Sequence, residues 1–448
     1  MCFAVTRGEI VRSLHVDYYH PERRLVIRAI QEKWNSAQRN ILGKVLAIGE
    51  ETALYQPGLP YIGLANVESD NGIFVESSDE EPEGLCRRFL HGQVLYGKLR
   101  PYLNKVYIAQ SDGQCSTEFF VLNVLEQTQL SNEFLQAYLT SKICLAQTVH
   151  MMTGNTHPRI LREDFKEILI QLPPFANQRA LVAEMQAARA SRQQKLAQAD
   201  ALLAGLDAYL LEQLGITPPQ EDKRQVYAVR LGDLKDGRTD PHFHHPDFRK
   251  LADTIQQIDS APLGRLVKFS SEAWNPEQAT RTTFRYIEIS GINTQTGEVT
   301  PAEISVSDAP SRARMLVQNG DILVSLTRPQ RGAIALIDDE LDNCIASTGF
   351  AIIREIVSPQ INRDYLWCVL RSQICLRQML QRSSGGNYPA ITQDELGKIT
   401  VPIASSTIQE TIVAELNHRR ATARQLRAQA AAEWDAAKAR FEKKLLGS

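Results

Sequence analysis

Gly92–Pro101 reads GQVLYGKLRP and Gly320–Pro329 reads GDILVSLTRP, at a separation of 228 residues. Around this pair the chain repeats itself in order. Tyr61-Ile62-Gly63-Leu64 aligns with Tyr286-Ile287-Glu288-Ile289, and Asp17-Tyr18-Tyr19-His20-Pro21 is echoed by His242-Phe243-His244-His245-Pro246, both 225 residues on. Downstream the separation settles at 231. Ser116, Thr117 and Phe119 pair with Ser347, Thr348 and Phe350, and Ser141–Leu145 (SKICL) with Ser372–Leu376 (SQICL). Pro158 and Ile160 pair with Pro389 and Ile391, Gln178 with Gln409, and Val182-Ala183-Glu184 with Val413-Ala414-Glu415. An order kept over so many points, drifting by only a few residues, is a tandem duplication. Solenoid repeats run to roughly 20–45 residues, so this far longer period is a duplicated domain.

The chain has 448 residues, about three domains' worth at roughly 150 residues each. With 43% hydrophobic and 23% charged residues it has an ordinary globular composition and ample material for a core. No stretch approaches the ~18 uncharged apolar residues of a membrane helix. The opening MCFAVTRGEIVRSLHVDYYHPE lacks a long apolar region and a cleavage site, so no secretory signal is expected. Seven cysteines, at 2, 86, 115, 144, 344, 368 and 375, are scattered without a CxxC pair. Neither a disulfide framework nor a zinc site is expected, and a reduced cytoplasm fits best. Fifty basic against 52 acidic residues give a net charge of −2, which argues against tight non-specific nucleic-acid binding by this chain alone. Any such function rests on local patches or on a partner.

Each half opens with short β-rich runs punctuated by Gly, Pro, Asn and Asp: Leu59–Val67, Val94–Leu99, Lys105–Ala109 and Glu118–Val124, then Phe284–Ile289, Asp321–Leu326, Ala333–Ile337 and Gly349–Ile353. A helix is predicted over Ser131–His150, with its counterpart over Asn362–Arg382. Each half closes on a long helix. After Pro173-Pro174, with Asn177 as the expected N-cap, Gln178–Leu214 contains no Pro and only Gly205 as an interior Gly. Val182, Met185, Leu196, Ala199, Leu203, Leu206 and Leu210 fall near a 3.5-residue repeat. Val413, Leu416, Ala423, Ala430, Trp434, Ala437 and Phe441 do the same in Gln409–Leu446, while Arg189 and Arg420 interrupt both seams at one heptad position. Roughly 36 residues make a rod of about 55 Å, and two such rods are expected to pair as an antiparallel coiled coil. The reading is α+β: a mixed domain at 1–175, a long helix at 176–215, a linker at 216–225, a second mixed domain at 226–407 and a second long helix at 408–448.

Catalytic motifs are absent from the sequence. There is no GxxxxGK[ST] loop, no GxGxxG after a strand, no HExxH and no GxSxG. Leu172-Pro173-Pro174-Phe175 is similar to the [DNS]-P-P-[YF] loop of amino-methyltransferases, but Leu172 cannot accept a hydrogen bond from an exocyclic amine, so it reads as a hinge. His242, His244 and His245, near Asp240 and Asp247, invite a metal assignment; the parallel Tyr18–His20 keeps only one His, which favours a turn packing aromatic rings. No metal site and no catalytic residue are expected.

Two constellations suit nucleic acid. Lys98, Arg100, Tyr102, Asn104 and Lys105, with Arg328, Gln330 and Arg331 in the other half, offer cations and planar polar groups at a strand end. A Gly/Asn loop follows a helix in each half, with Asn155, Thr156, His157 and Arg159 in the first and Asn387 and Tyr388 in the second; a helix C-cap explains part of its composition. The acidic run Glu76–Glu83 reads as a solvated loop, and the repeated Cys144 and Cys375 as buried thiols.

In this order of features the chain resembles the specificity (S) subunits of type I restriction–modification systems, over nearly its whole length and twice. The resemblance rests on the GxxLYGKLRPYLxKV or GDILVSLTRP strand-turn, the ST-x-F that follows, the Gly/Asn loop with its Pro and Ile, and the hinge LPPFANQRALVAEM at Leu172–Met185. The second hinge, VPIASSTIQETIVAEL at Val401–Leu416, lacks the double proline but keeps Gln409 and Val413-Ala-Glu415. The resemblance implies a non-catalytic reader of double-stranded DNA. Each recognition domain would read one half of a split target. The helices would set the spacer and dock two methyltransferase subunits, with Val182, Met185, Leu196, Leu203, Leu206, Leu210, Val413, Leu416, Trp434 and Phe441 as candidates for helix pairing or partner docking, and restriction subunits would join the larger complex. S-adenosylmethionine and ATP are then expected on partner subunits, with no cofactor on this chain and no membrane partner. The two loop sets differ, which points to unlike half-sites. A recognition subunit of a modification-only system, and a coiled-coil adaptor without DNA, are the alternatives.

Overall fold

The computed structural model describes residues 16–35, 39–77, 82, 84–126, 128–220, 222, 224, 226–230, 232, 234 and 238–446. Most of the acidic run, at 78–81 and 83, lies outside them, as do Cys2 and linker residues 221, 223 and 225. The chain forms two compact units. The first takes residues up to Lys195 together with those from Ala428 onward; the second is Leu196–Arg427. Each unit therefore contains one copy of the duplicated domain and a portion of both long helices.

In the first unit a four-stranded antiparallel sheet runs in the order Leu46–Ile48, Phe119–Val124, Val94–Gly97, Val106–Ile108. The GQVLYGKLRP stretch supplies an inner strand, all four residues of which are buried. Successive side chains of a strand point to opposite faces, and here each face meets its own core. Val94, Tyr96, Phe120 and Leu122 pack with Phe134, Leu135 and Tyr138 of the helical layer. Leu95, Tyr107, Phe119 and Val121 pack instead with Ile62 and Phe89 of a second sheet, and with Val67 beside it. That sheet runs Thr52–Leu54, Leu85–Phe89, Gly113–Ser116, Tyr61–Ile62, its last pair parallel.

The second unit repeats the plan. Its inner strand Ile322–Ser325 lies between Phe350–Ile356 and Ile334–Leu336, with Val267–Phe269 beyond. Ile322, Val324, Ala351 and Ile353 face the helices, while Leu323, Ala335, Phe350 and Ile352 face the second sheet. That second sheet runs Ala302–Ser305, Thr283–Ile287, Ile345–Ser347, Ala313–Leu316. Three of its strands match the first unit; the fourth is added at the opposite edge.

The helices expected over Ser131–His150 and Asn362–Arg382 are each two helices. Asn132–Leu139 is followed by Lys142–Thr148, and Arg363–Leu370 by Gln373–Arg382. A serine interrupts both: Ser141 Oγ donates to Tyr138 O at 2.6 Å and accepts from the Cys144 N–H at 3.3 Å, and Ser372 Oγ donates to Val369 O at 2.6 Å. A hydroxyl that satisfies a carbonyl at the end of one helix, and in Ser141 also an N–H at the start of the next, marks the break between them. The first long helix is Phe175–Ala204, then Leu206–Gln213 after Gly205, and the second is Ser406–Leu446. Asn177 is not the N-cap, because the helix has already begun at Phe175; the Asn177 N–H is held by Pro174 O at 2.8 Å.

The repeated glutamines bind each long helix to its own domain. Gln178, fully buried, accepts the Ser131 N–H at 3.2 Å and donates to Gln129 O at 2.6 Å and Pro173 O at 2.9 Å. Gln409 accepts the Asn362 N–H at 2.9 Å and donates to Gln360 O at 2.7 Å and Ala404 O at 2.8 Å. Each side chain satisfies backbone groups at a helix start that burial would otherwise leave unpaired.

Within each unit the long-helix segments run antiparallel. In the first, Leu181, Val182 and Met185 share a core with Trp434, Ala437, Phe441 and Leu445, while Lys444 pairs with Glu184 and Lys195 with Glu433. In the second, Ala199, Leu203, Leu206 and Leu210 meet Leu416 and Ala423, and Arg427 bonds Asp200 at 2.7 Å. Leu196 is half-buried, and so is Val413, whose neighbour Ile412 is the fully buried residue there. The two interrupting arginines each reach the domain beside them, Arg189 through Gln136 and Arg420 over the Trp367 ring at 4.3 Å; Arg189 also lies over Trp434 of the facing helix at 5.6 Å, and Arg420 reaches Asn417 on its own helix. Cation–π contact allows a charge where the 3.5-residue pattern asks for an apolar side chain.

Phe441 is 2% exposed and touches Phe134, ring centroids 5.8 Å apart. Phe441→Ala should therefore destabilise the first unit by about 3–5 kcal/mol. Hydrogen exchange by mass spectrometry should show faster exchange in Asn132–Thr148 with Leu196–Arg427 unchanged; equal protection throughout would refute this packing role.

Candidate nucleic-acid interface

The two sequence constellations meet in each unit, and backbone hydrogen bonds bring them together. The Arg100 N–H donates to Pro158 O at 2.7 Å and the Ile160 N–H to Lys98 O at 3.1 Å. In the second unit the Arg328 N–H donates to Pro389 O at 2.7 Å and the Ile391 N–H to Leu326 O at 2.9 Å. The Arg-Pro turn and the Gly/Asn loop are thus one surface, joined by the same backbone hydrogen bonds in both units. Both arginines adopt the left-handed conformation, Arg100 with φ 48° and Arg328 with φ 49°. The following Pro101 or Pro329 starts a single 3-10 turn, which ends at left-handed Asn104 (φ 51°) or Gly332 (φ 73°). Left-handed backbone costs a non-glycine residue roughly 1–2 kcal/mol. Strain of this kind, held at the same place in both copies, is characteristic of sites where a side chain must be aimed.

In the first unit Tyr102 is 46% exposed, and Asn155, Thr156 and His157 are exposed on the loop. Arg100 and Lys98 are half-buried, and Lys98 lies 5.8 Å from the Phe120 ring. Asn104 is not on this surface. It is 4% exposed, and its amide donates to Asp70 Oδ1 at 2.9 Å and Thr140 O at 2.8 Å. Lys105 is also turned inward, its ammonium donating to Leu64 O at 2.7 Å. These two side chains hold the turn. Burial lowers the ammonium pKa of Lys98 and of Lys105 from the ordinary lysine value.

Sequence reasoning passed over Glu118, which sits at the centre of this surface. Arg159 donates to it from Nε at 3.0 Å and from Nη2 at 2.9 Å, and from Nη1 to His157 O at 3.2 Å. The Arg159 hydrogen bond holds the Glu118 carboxyl below its ordinary range, with burial opposing and the Lys98 charge assisting. The signal was in the repeat: at a separation of 231, Glu118 and Arg159 correspond to Gly349 and Ala390.

The second unit solves the surface differently. Arg328 lies over the Tyr388 ring, 4.1 Å from its centroid, and donates from Nη2 to Asn387 O at 3.2 Å. Tyr388 is 71% exposed, Arg331 is exposed and Gln330 half-buried. Arg328, Arg331 and Tyr388 line a cleft of about 590 Å³ with Tyr286, Arg312 and Ser347. Three guanidinium groups and two phenols outnumber the one carboxylate of the lining, Glu288, a balance that suits a polyanion with planar bases. Arg312 carried no sequence signal, since its place in the other copy is not basic.

The histidines make structural contacts. His245 Nδ1 accepts the Asp247 N–H at 3.2 Å at a helix start, and His244 meets Arg238 O at 2.7 Å. His242 meets Leu380 O at 3.1 Å and stands edge-on to Phe248. His20 caps its helix in the same way, accepting the Glu22 N–H at 3.3 Å, with His150 stacked on its ring. The six described cysteines are free and buried.

Residues 264–425 match the family model of the type I restriction modification DNA specificity domain. The chain is 33% identical over 117 residues to the specificity subunit of the type I restriction enzyme HindI of Haemophilus influenzae, covering 25% of this chain and 25% of that relative. It is 30% identical over 98 residues to the specificity subunit of the type I restriction enzyme EcoDI of Escherichia coli, covering 22% and 21%. The alignments thus span about a quarter of the curated relatives' length. A chain solved in a study of complex assembly and conformational transition of the type I R-M system has the same fold, with TM-score 0.50 and 20% identity over 92% of this chain and 96% of that one. Among the described residues no helix is long and apolar enough to cross a membrane.

The lowered Glu118 pKa fixes a sign for pH dependence. Its pairing stabilises the first unit fully above the ordinary value of 4.5, and the contribution is lost as pH falls through the depressed folded value. Glu118→Gln should lower the denaturation midpoint at neutral pH and converge with the parent once the pH has fallen through the depressed folded value. An equal deficit at neutral and at acid pH would show that the pair contributes no charge-dependent stability.

Proposed function

We propose, from a chain that carries a type I restriction modification DNA specificity domain over residues 264–425, that this protein is the DNA sequence-specificity subunit of a type I restriction–modification enzyme. The observation that carries the reading is the twice-built surface: in each unit a left-handed arginine, held by a proline carbonyl, presents a turn and a Gly/Asn loop together. Each copy reads one half of a bipartite duplex target. The unlike side chains on the two copies make the half-sites unlike and the target asymmetric.

In this reading the chain performs no chemistry. Arginines and tyrosines position the phosphates and read base edges, and the reaction belongs to two methyltransferase subunits carrying S-adenosylmethionine. ATP-driven restriction subunits complete the larger assembly in the cytoplasm. The paired long helices hold the methyltransferase subunits and set the unspecified spacer. A net charge of −2 is compatible with duplex binding when partner subunits enclose the DNA and supply part of the electrostatics.

The test is a genome-wide adenine-methylation map of a host supplied with the methyltransferase partner, with and without this gene. A gene-dependent motif in two parts with a fixed spacer is the expected result. Methylation without a split motif would refute the reading, and a complex that methylates but recruits no nuclease would assign the chain to a modification-only system. Arg328→Ala should weaken methylation about 5-fold or more through one half-site. Matched four-residue insertions near Ala199 and Arg424, each adding about 6 Å of helix, should change the spacer and leave both half-sites intact. Changed half-sites with an unchanged spacer would overturn the ruler role.

A further inference from the structure

Glu118 is an anomaly on a surface that meets a polyanion. A carboxylate facing phosphates would oppose binding, yet this one is placed with care. Its side chain is 24% exposed and its partner Arg159 is 42% exposed, so the pair lies at the surface and is not a core ion pair. The backbone of Arg159 is pinned in turn, since it forms a β-bridge with Leu99 of the Arg-Pro turn. Both ends of the Arg159 side chain are therefore fixed.

The donor count decides what Arg159 can still do. A guanidinium has five N–H donors and cannot be deprotonated in a protein. Here Nε and one N–H of Nη2 go to Glu118 at 3.0 and 2.9 Å, and one N–H of Nη1 goes to His157 O at 3.2 Å. One N–H remains on each terminal nitrogen. Two such donors match the O6 and N7 acceptors of guanine in the major groove. The charge-neutralised pair gains little from a phosphate, whereas its fixed donors keep full directionality toward a base edge.

We infer that Arg159, held by Glu118 as a positioning residue, reads a guanine in the half-site of the first unit. The inference rests on the function proposed above and adds a residue and a base to it. The second unit has Gly349 and Ala390 at the matching places. Its arginine Arg328 is buttressed by the Tyr388 ring at 4.1 Å. The guanine contact therefore belongs to one half-site alone.

The experiment maps methylation in a host carrying the methyltransferase partner and, in turn, the parent chain, Arg159→Lys and Glu118→Gln. Lysine keeps the charge but cannot make the bidentate contact. Arg159→Lys should relax one guanine position of one half-site, with discrimination falling about 5- to 150-fold. Glu118→Gln should relax the same position to a smaller degree, because the arginine remains but is no longer held by charge. The other half-site and the spacer should be unchanged. Loss of both half-sites together, or a parent motif kept intact by both variants, overturns the inference. A parent chain that directs no split motif overturns the proposed function and this inference with it.

Discussion

The last turns of the chain lie in the core of the unit that begins it. Trp434, Ala437, Phe441 and Leu445, all at most 4% exposed, share one apolar cluster with Phe134, Leu135 and Val182. Lys33 and Trp34 reach the carbonyls of Lys444 and Leu445 from the same unit. The first copy of the domain therefore leaves part of its core open until the C-terminal helix is in place. The Lys33 and Trp34 contacts each span 411 residues, and closing them carries a large loop-closure entropy. The second unit closes over a shorter span, because Ala199–Leu211 and Ile412–Ala423 both lie within or next to its own domain. Duplication has produced two similar domains with unequal folding problems.

The shared scaffold is made largely of backbone and amide contacts, and this explains how the copies diverged. Arg100 and Arg328 donate to Pro158 and Pro389 at the same 2.7 Å, and Gln147 and Gln378 clip the backbones of Leu169 and Thr400 in the same way. A backbone hydrogen bond tolerates any neighbouring side chain, so the surface can change while the turn stays in place. The Glu118–Arg159 pair against Gly349 and Ala390, and the fourth strand on opposite sheet edges, are such changes. Such a frame lets the exposed contacts of the two copies vary independently of each other.

The strained arginines sit at the junction of frame and contact. Their left-handed backbone is favoured neither by the residue type nor by the proline that follows. It persists because the loop carbonyl, the 3-10 turn and the left-handed Asn104 or Gly332 over-determine it. The cost falls on stability, and what it secures is the direction of a guanidinium.

The α+β class, the duplication and both long helices were legible in the sequence, because repeats and periodicities are properties of residue order. The two Arg-Pro turns and the two Gly/Asn loops were also legible as motifs, though as separate ones. That Asn104 and Lys105 turn inward was not, since it depends on Asp70, Thr140 and Leu64, which lie 34 to 41 residues away. A polar side chain near a cationic turn reads the same whether it faces solvent or satisfies a buried carbonyl. Only the tertiary structure decides which groups find internal partners, because burial makes an unpaired donor costly and so commits it to whatever acceptor the fold places beside it. Sequence order thus determined the repeated frame, and tertiary packing decided which of its polar groups remain to meet a ligand.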